Sequence, residues 1–454
     1  MDTKTFDLIV IGAGPGGYEA AFEAADLGMK TALVEKDAPG GTCLNRGCIP
    51  TKSFLHAAGL CREMREAAAF GIVPGEIKVD YARMQERKNE AVLQLRKGIE
   101  GTAARKKIAL IRGTAALQGG GTVSVRTGEG EETLRADRIL LATGSVPAVP
   151  PIPGVDLPGV LTSDGLLDND KPIGRLVIIG GGVIGVEFAE VYAALGAAVT
   201  VIEAMPQLLP SLDREIAQSM KMLLKKRGVS VCTGTQVNRI LPGEGGKLIC
   251  EYGEAETAEA DAVLVSVGRR PYTEGLFAPG AQPKTERGRI TVNEYGETSL
   301  PGVWAVGDVT GGAMLAHAAS AAGRNAVRRM AGLPPCADTR FIPSCVYTDP
   351  EIACAGMGEE EAKTAGIEAD SRKIPMTANG KTVLTGAERG FIRVVFEKGS
   401  RRILGVRMMC ERASDMIGEF TMALSMGLTM DEMARAVRPH PTFCEAITEA
   451  LRLP

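Results

Sequence analysis

The sequence predicts an α/β fold with two βαβ units, followed by a C-terminal α+β domain. First, a buried strand, a glycine turn, an Ala-rich helix and a strand ending in an acid occur twice, in DLIVIGAGPGGYEAAFEAADLGMKTALVEK and RLVIIGGGVIGVEFAEVYAALGAAVTVIE. Second, hydrophobic strands that close on glycine recur in DRILLATGSVP, DAVLVSVGRRP and PGVWAVGDVT. Third, from about residue 336 the pattern changes to strands such as FIRVVFEKGSRRILGVRMM and to Ala- and Met-rich helices.

The repeated units are predicted to be Rossmann-like dinucleotide-binding domains. Each follows a GxGxxG spacing, with Gly12, Gly14 and Gly17 in the first unit and Gly180, Gly182 and Gly185 in the second. The first glycine permits a tight turn, the second admits a pyrophosphate at the helix N-terminus, and the third lets the helix approach the strand. Glu35 and Glu203 follow at equal separations and are expected to accept hydrogen bonds from ribose hydroxyls. The alternative is two glycine-tightened turns that bind nothing.

A chain of 454 residues is too long for one ordinary core, so several domains are expected. The prolines of VPAVPPIPG indicate a linker. We predict a first nucleotide-binding domain at 1–147, a second at 148–274, a return to the first at 275–335 and a C-terminal domain at 336–454. In that last domain, a stripe at helical spacing is assigned to core packing or a subunit interface: Met416, Phe420, Leu424 and Leu428.

Composition excludes several classes of partner. A content of 45% hydrophobic and 24% charged residues is typical of a soluble globular protein. The net charge of −3, without a basic block, argues against nucleic acid and anionic membrane as partners. The longest apolar runs are interrupted by glycines and acids, so no membrane span is expected. The first strand begins almost at the N-terminus and leaves no room for a signal peptide, which favours a cytoplasmic protein.

Only Cys43 and Cys48 of the ten cysteines are close enough in sequence to suggest joint chemistry. A regular helix rises about 7.5 Å over five residues, beyond the roughly 7 Å limit for bridged Cα atoms. A bridge therefore needs a distorted turn, which Gly47 and Pro50 favour. A metal site is not expected, because zinc wants a second ligand pair that the chain lacks. An inert bridge is not favoured in a cytoplasmic protein, and the polar surroundings argue against two unrelated buried thiols. A redox pair is therefore predicted. The nearby helix start would stabilise its thiolates.

Three histidines limit the choice of a proton-transferring base. Packing or backbone-positioning roles are at least as expected as catalysis for His56 and His317. His440 stands between prolines in RPHPTFCEA, five residues before Glu445. Glu445 has two readings of equal weight: it closes a helix start as part of a T-x-x-E capping box, or it fixes the tautomer of His440.

The sequence resembles the pyridine nucleotide-disulfide oxidoreductases of class I over its whole length. The resemblance is carried by GAGPGGYEAA, GGTCLNRGCIPTK, LATGS, GGGVIGVEFA, SVGRRPYTEGL, VWAVGDV, MLAHAA, VYTDPEIACAG and HPTFCEA. GRRPYTEGL and HPTFCEA are most similar to the branch that oxidises dihydrolipoamide. The resemblance implies a homodimer in which the C-terminal domain forms the interface.

The resemblance also implies two cofactors, FAD on the first unit and NAD on the second. The residues implied for FAD are Gly12, Gly14, Gly17, Glu35, Lys52, Gly113, Thr143, Gly144, Ser145, Asp308, Met314, Leu315, Ala316 and His317. Those implied for NAD are Gly180, Gly182, Gly185, Glu187, Glu203, Val237, Gly268 and Arg270. Lys52 is expected to pair with Glu187. NAD is favoured over NADP because Glu203 would repel a 2′-phosphate.

The implied reaction oxidises a protein-bound dihydrolipoamide and reduces NAD+. His440 of the partner subunit would deprotonate the dithiol, which attacks Cys43 of a Cys43–Cys48 disulfide, and Cys48 would pass the electrons to FAD. The lipoyl group must then belong to another protein, since no lipoyl domain precedes the first unit. Complexes for 2-oxoacid dehydrogenation, glycine cleavage and acetoin cleavage all fit.

Two other functions remain open. One is an NAD(P)H-dependent reductase of a low-molecular-weight disulfide, similar to glutathione reductase. The other is a non-catalytic nucleotide-binding subunit. Two departures from the family pattern lie near the proposed base: Cys444 stands where serine is common, and Arg438 stands where a second histidine is common.

Overall fold

A computed structural model describes residues 3–387 and 390–452. The described chain divides into two compact units. The first comprises residues 3–180, 194–198 and 236–339, and the second comprises 181–193, 199–235 and the described part of 340–452.

The helices of the described residues are α1 Pro15–Asp26, α2 Gly41–Arg46, α3 Cys48–Glu66, α4 Tyr81–Arg105, α5 Ser163–Asp168, α6 Val183–Ala194, α7 Arg214–Lys226, α8 Ala316–Met330, α9 Glu359–Thr364, α10 Gly380–Thr385, α11 Ala413–Met426, α12 Met430–Met433 and α13 Glu445–Leu451. Short 3₁₀ turns occur at Ala67–Phe70, Glu244–Gly246, Gly307–Thr310 and Met376–Ala378.

The strands are β1 Lys4–Ile11, β2 Thr31–Glu35, β3 Ala109–Arg112, β4 Thr114–Gly119, β5 Thr122–Thr127, β6 Gly130–Leu141, β7 Ser145–Pro147, β8 Val160–Thr162, β9 Arg175–Ile179, β10 Ala198–Glu203, β11 Ser230–Thr233, β12 Val237–Pro242, β13 Leu248–Tyr252, β14 Glu256–Ala260, β15 Ala262–Val265, β16 Arg269–Pro271, β17 Thr285–Glu286, β18 Arg289–Ile290, β19 Val303–Ala305, β20 Ser344–Val346, β21 Ile352–Gly356, β22 Ala369–Pro375, β23 Phe391–Glu397 and β24 Ile403–Met409.

The main sheet of the first unit has the strand order β3-β2-β1-β6-β5-β4, with β19 on β6. β1 runs parallel to β2 and to β6, which makes β1-α1-β2 the predicted βαβ unit. Successive side chains of β1 enter two different cores: Leu8 and Val10 pack in one, Ile9 and Ile11 in the other. Because both faces of the second half of β1 are buried, its last four residues, LIVI, are continuously hydrophobic instead of alternating.

Helices α1 and α8 cover the Leu8 and Val10 face of this sheet. Their backbones approach closely, since a Cβ atom added to Gly323 of α8 would lie 2.3 Å from the carbonyl oxygen of Gly16 in α1. This contact sets the start of α1, which follows the first glycine turn, against the middle of α8.

The rest of the first unit holds smaller sheets. β15 runs parallel to both β8 and β9, and β12, β13 and β14 form an antiparallel meander. β16 pairs antiparallel with β7, which brings the GRRP stretch beside the end of LATGSVP.

The second unit contains the parallel pair β10 and β11 and an antiparallel sheet of order β20-β21-β24-β23-β22. The predicted C-terminal α+β domain is thus confirmed. Helices α11, α12 and α13 contribute to one hydrophobic core with this sheet. Met416, Phe420 and Leu424 of α11 are buried in that core and Leu428 packs against it, so the predicted packing stripe is confirmed.

None of the helices in the described ranges combines the length and apolarity that a membrane crossing requires.

Candidate active site

Cys43 and Cys48 form a disulfide with Cα atoms 4.6 Å apart. This distance is possible because the cysteines do not share a helix: Cys43 lies in α2, Cys48 is the first residue of α3, and Gly47 separates the two helices. A Cβ atom on Gly47 would lie 2.9 Å from the carbonyl oxygen of Thr42, so the break accommodates only glycine without a shift. Pro50 takes no part in the break, since it lies in the first turn of α3, where a missing N–H is tolerated.

Both cysteines are partly exposed, and Cys48 occupies the positive end of a 19-residue helix. A thiolate released at Cys48 is stabilised there by the helix dipole and the free N–H groups of the first turn. Lys52 lies one turn further along the same helix. The arrangement suits a disulfide that is opened and closed repeatedly.

Asn45 holds the loop before α2 and was not identified by the sequence patterns. Its Nδ2 lies within hydrogen-bond distance of the carbonyl oxygens of Ala38, Pro39 and Gly41, at 3.2, 3.1 and 3.0 Å. Its Oδ1 accepts a hydrogen bond from Nη2 of Arg96 at 2.8 Å. The Asn45 side chain thus fixes the loop that leads into α2, and with it the backbone before Cys43, through its Nδ2 contacts with the loop and its Oδ1 contact with Arg96.

The first glycine motif fits a dinucleotide phosphate. A Cβ atom on Gly12 would lie 2.4 Å from the carbonyl oxygen of Ala142, and one on Gly17 would lie 1.8 Å from that of Gly12. These two glycines are required by the protein's own backbone. A Cβ atom on Gly14 would meet only the Cα atom of Gly41, at 3.8 Å, although Gly14 caps α1. The space beside Gly14 is therefore open at a helix N-terminus, which is where a phosphate binds.

The second motif repeats this division of roles. A Cβ atom on Gly180 would lie 2.5 Å from the carbonyl oxygen of Ser266, whereas one on Gly182 would meet no atom within 4 Å. Gly185 is buried on α6. The middle glycine of each motif is thus the one that faces free space.

Glu35 and Glu203 make equivalent hydrogen bonds in their own units. Glu35 accepts from the backbone N–H of Ala13 at 2.8 Å and of Asp37 at 2.9 Å. Glu203 accepts from the N–H of Gly181 at 2.5 Å and of Met205 at 2.6 Å. Each carboxylate therefore ties the end of a second strand to the glycine turn.

The two glutamates differ in burial. Glu35 is partly buried, and burial raises the pKa of its carboxyl, against the lowering effect of the Ala13 N–H. Glu203 is buried, with 7% of the residue exposed. Both match the acid that follows a GxGxxG turn in a dinucleotide-binding unit.

Asp308 and Ser145 lie together in the first unit, and Arg269 joins them. Oγ of Ser145 donates to Oδ2 of Asp308 at 2.5 Å and accepts from Nε of Arg269 at 2.8 Å. Burial lowers the pKa of the Arg269 guanidinium, while Asp164 and Asp308 favour its charge. Arg269 was not singled out by the sequence patterns. Arg270, which is predicted to contact NAD, is exposed and paired with Glu274 at 2.8 Å.

The other expected FAD residues lie in several parts of the first unit. Oγ1 of Thr143 donates to the carbonyl oxygen of Tyr272 at 2.6 Å, and the carbonyl oxygen of Gly144 accepts from the Tyr272 N–H at 2.9 Å. The N–H of Gly113 donates to the carbonyl oxygen of Glu35 at 2.9 Å. The remaining ones lie at the start of α8: Met314, Leu315, Ala316 and His317.

The remaining expected NAD residues are found in separate parts of the chain. Val237 begins β12, and Gly268 has a φ of 120°, which favours glycine. Glu187 is buried on α6, where its Oε1 accepts from the Tyr347 N–H at 3.0 Å.

His440 and Glu445 form the candidate acid–base pair. Nδ1 of His440 lies 2.9 Å from Oε1 of Glu445, and Oε2 of Glu445 accepts from the N–H of Thr442 at 2.9 Å. The Thr442 N–H, and secondly His440, lower the pKa of the Glu445 carboxyl, which keeps it ionised. Thr442 does not cap α13, since its Oγ1 donates to the carbonyl oxygen of Pro439 at 2.7 Å. Glu445 thus combines half of a capping box with the histidine contact.

The other two histidines, His56 on α3 and His317 on α8, are exposed. Across residues 3–387 and 390–452, no group of three or more His, Cys, Asp or Glu side chains is arranged to hold a metal ion.

Two family descriptions match this chain. Residues 6–323 match the pyridine nucleotide-disulphide oxidoreductases, and residues 342–451 match the pyridine nucleotide-disulphide oxidoreductase dimerisation domain.

Curated relatives match over nearly the full length. A dihydrolipoyl dehydrogenase of Bacillus subtilis is 39% identical over 464 residues, which cover 98% of this chain and 97% of the relative. A mitochondrial dihydrolipoyl dehydrogenase of Pisum sativum is 39% identical, with 98% of this chain and 90% of the relative covered.

Solved structures show the same architecture. The HOCl-induced flavoprotein disulfide reductase RclA of Escherichia coli matches with a TM-score of 0.87 at 30% identity, over 98% of this chain and 99% of that one. LpdA of Mycobacterium tuberculosis matches with a TM-score of 0.91 at 25% identity, over 99% of each chain.

Proposed function

This chain belongs to the pyridine nucleotide-disulphide oxidoreductase family, and from this we infer that it oxidises protein-bound dihydrolipoamide to lipoamide and reduces NAD+. The observation that carries the proposal is the Cys43–Cys48 disulfide at the start of α3, beside a glycine turn built for a dinucleotide. The enzyme uses FAD and NAD. Its partners are a second copy of itself, through the dimerisation domain, and a lipoyl-bearing protein of a multienzyme complex.

The chemical step on the protein is a thiol–disulfide exchange. The first substrate thiolate attacks Sγ of Cys43, the Cys43–Cys48 bond breaks, and Cys48 leaves as a thiolate stabilised at the start of α3. The sulfur of the second substrate thiol then attacks the substrate sulfur of the mixed disulfide, its proton passes to Cys43, and lipoamide is released. Two electrons have passed to the protein, and both cysteines are reduced.

The partner subunit's His440 is the proposed base for the substrate thiol that attacks Cys43. The ionised Glu445 accepts from Nδ1–H of the same ring, which leaves Nε2 without a proton and able to take one from a thiol. The His440 side chain is 78% exposed within its own chain, so a substrate thiol can reach it.

The two nucleotide-binding units supply the cofactor sites. FAD, when bound, provides the two-electron acceptor that links the dithiol to NAD+. Gly14 and Gly182 leave room for the phosphates, Glu35 and Glu203 accept from the riboses, and the other residues expected for each cofactor complete the sites.

We assign FAD binding to 1–147 and 275–335, NAD binding to 148–274 and the subunit interface to 336–454. The structure joins none of the eight other cysteines in a disulfide. A cytoplasmic location is proposed because a reducing compartment keeps them in that state.

The test is anaerobic reduction with dihydrolipoamide, followed by absorbance, in wild type and in Cys48→Ser. The wild type is expected to develop a long-wavelength thiolate-to-flavin charge-transfer band and to turn over with NAD+, whereas Cys48→Ser should show neither. Unchanged turnover in Cys48→Ser would contradict the mechanism. Parallel assays with NADPH or NADH and glutathione disulfide or coenzyme A disulfide test the alternative substrate class, which would be favoured by higher kcat/KM on those disulfides.

A further inference from the structure

Asn379 is a buried polar residue outside the exchange site described above. Its side chain is 3% exposed, and it immediately precedes α10, 61 positions before the catalytic histidine. We propose that Asn379 is a positioning residue for His440: its amide fixes the loop that carries the base and the carboxylate of Glu445. The inference rests on the proposed function, because it assigns His440 its role as base.

The orientation of the Asn379 amide follows from its partners. The backbone N–H of Thr382 can only donate, and it lies 3.0 Å from Oδ1 of Asn379. Oδ1 is therefore the acceptor that caps α10, and Oγ1 of Thr382 reaches the same atom at 3.2 Å. The NH₂ group must then face the other way, towards the carbonyl oxygen of Thr442, which it contacts at 3.0 Å.

Thr442 connects this amide to the catalytic pair. Its N–H donates to Oε2 of Glu445 at 2.9 Å, and Oε1 of the same carboxylate contacts Nδ1 of His440 at 2.9 Å. Its Oγ1 donates to the carbonyl oxygen of Pro439 at 2.7 Å, on the other side of His440. A shift of Thr442 therefore moves both the carboxylate that orients the imidazole and the backbone that carries it.

The amide is chemically specific at this position. A carboxylate would keep the α10 cap but set an oxygen against the Thr442 carbonyl. A serine would keep a cap acceptor of equal quality but could not reach Thr442. An apolar residue would remove the partners of the buried Thr382 N–H and of the partly buried Thr442 carbonyl, at the cost of both hydrogen bonds. Only an amide of this length serves both sides.

The position of the amide also has a consequence for rate. A general base must hold hydrogen-bond geometry to the proton that it removes, and small displacements of catalytic groups cost large factors in rate. Loss of the Asn379–Thr442 hydrogen bond is thus expected to slow the deprotonation of the substrate thiol. Electron transfer from NADH to the flavin does not use His440 and is expected to keep its rate.

The experiment compares wild type, Asn379→Ser, Asn379→Asp and the control Thr382→Val as purified FAD-loaded enzymes. Thr382→Val removes the hydroxyl on the α10 side and leaves the contact with Thr442. Two activities are measured: NAD+ reduction by dihydrolipoamide, which needs the base, and ferricyanide reduction by NADH, which bypasses the dithiol. We expect kcat with dihydrolipoamide to fall about tenfold or more in Asn379→Ser. Its ferricyanide activity should match wild type, and Thr382→Val should match wild type in both assays.

Asn379→Asp provides a second test that does not depend on Asn379→Ser folding. When the introduced carboxyl takes up a proton, it regains a donor for the Thr442 carbonyl. The ratio of variant to wild-type kcat is therefore expected to rise as pH falls. A pH-independent ratio in Asn379→Asp, or wild-type kcat with dihydrolipoamide in folded Asn379→Ser, would overturn the inference alone. A wild type without dihydrolipoamide activity would overturn the proposed function, and the inference with it.

Discussion

Glu445 contacts His440 through one carboxylate oxygen and the backbone of Thr442 through the other, each at 2.9 Å. The carboxylate is thereby held by the same loop whose histidine it orients. Because the Thr442 N–H and His440 lower its pKa, the Glu445 carboxyl stays ionised throughout the pH range of an ordinary assay. The proton of the neutral imidazole is then fixed on Nδ1.

Glu445→Gln should lower kcat for dihydrolipoamide oxidation by roughly 10- to 100-fold, a part of the 10²–10⁴ that a positioned base supplies. The amide can still accept a hydrogen bond but no longer stabilises the imidazolium. Steady-state kinetics measures the effect, and Glu449→Gln, an exposed glutamate of the same helix, is the matched control. Equal rates in both variants would show that the Glu445 contact is only structural.

FAD binding should weaken as the medium becomes acidic. Burial raises the pKa of Glu35, and ribose hydroxyls donate stronger hydrogen bonds to the ionised carboxylate than to the protonated carboxyl. Affinity is therefore full above this raised pKa and is lost as pH falls through it. Flavin fluorescence on titration of the apoprotein measures the dissociation constant, and Glu35→Gln should bind more weakly at neutral pH with little change on acidification. A wild-type affinity that is flat between about pH 7 and the usual glutamate pKa would refute the assignment.

Gly47→Ala should reduce the fraction of protein that holds the Cys43–Cys48 bridge at a given thiol–disulfide poise. The new methyl group would lie 2.9 Å from the carbonyl oxygen of Thr42 and must displace the segment that joins the two cysteines. Alkylation and mass spectrometry across a series of redox buffers measure this fraction. Gly59→Ala is the control, since Gly59 lies in α3, the helix that follows Gly47, and a Cβ atom there meets nothing within 4 Å. Identical titrations for the two variants would contradict the prediction.

Arg438→Met should destabilise the second unit. The Arg438 side chain is 5% exposed, forms an ion pair with Glu419 of α11 and donates to Oγ1 of Thr448 in α13 at 3.0 Å. Removing one partner of a buried ion pair leaves the charge of the other uncompensated. We expect the free energy of unfolding to fall by about 2–3 kcal/mol. This is less than for a fully buried pair, because Glu419 keeps some contact with solvent. Urea unfolding measures the change, with the exposed Arg435→Met as control. A loss no larger than that of the control would show that the pair is weak.

NADH should be preferred to NADPH by about 100-fold or more in kcat/KM. Glu203 is fixed by two backbone N–H groups and cannot turn away from an added phosphate, and such like-charge contacts cost several kcal/mol. Steady-state comparison of both cofactors checks this preference, and Glu203→Gln should narrow it. Equal efficiency in the wild type would exclude the proposed role of Glu203.

The sequence alone was sufficient for features that depend on local spacing. The two glycine turns, the break at Gly47 and the packed face of α11 all follow from residues a few positions apart. Arg269 was missed because its partner Ser145 lies 124 positions away. Local sequence does not distinguish Arg269 from the adjacent Arg270, because both are arginines in the same GRRP stretch. The contact between Asn379 and Thr442 spans 63 positions and has no motif.

Glu445 shows a different limit of sequence reasoning. Two interpretations of Glu445 were treated as alternatives. One uses its spacing of three residues from Thr442, as in a capping box, and the other its spacing of five residues from His440. In the folded chain the carboxylate has two oxygens and satisfies one contact with each. The Glu445 carboxylate therefore serves both roles at once, because each of its oxygens can accept its own hydrogen bond.

The open space beside Gly14 and Gly182 has a consequence for reading genetic variation. An alanine at either position meets no protein atom closer than ordinary van der Waals contact, so the newly made chain would fold, dimerise and pass cellular quality control. The defect would be confined to cofactor binding. Substitutions at Gly14 and Gly182 would therefore go undetected in a survey that measures only protein abundance.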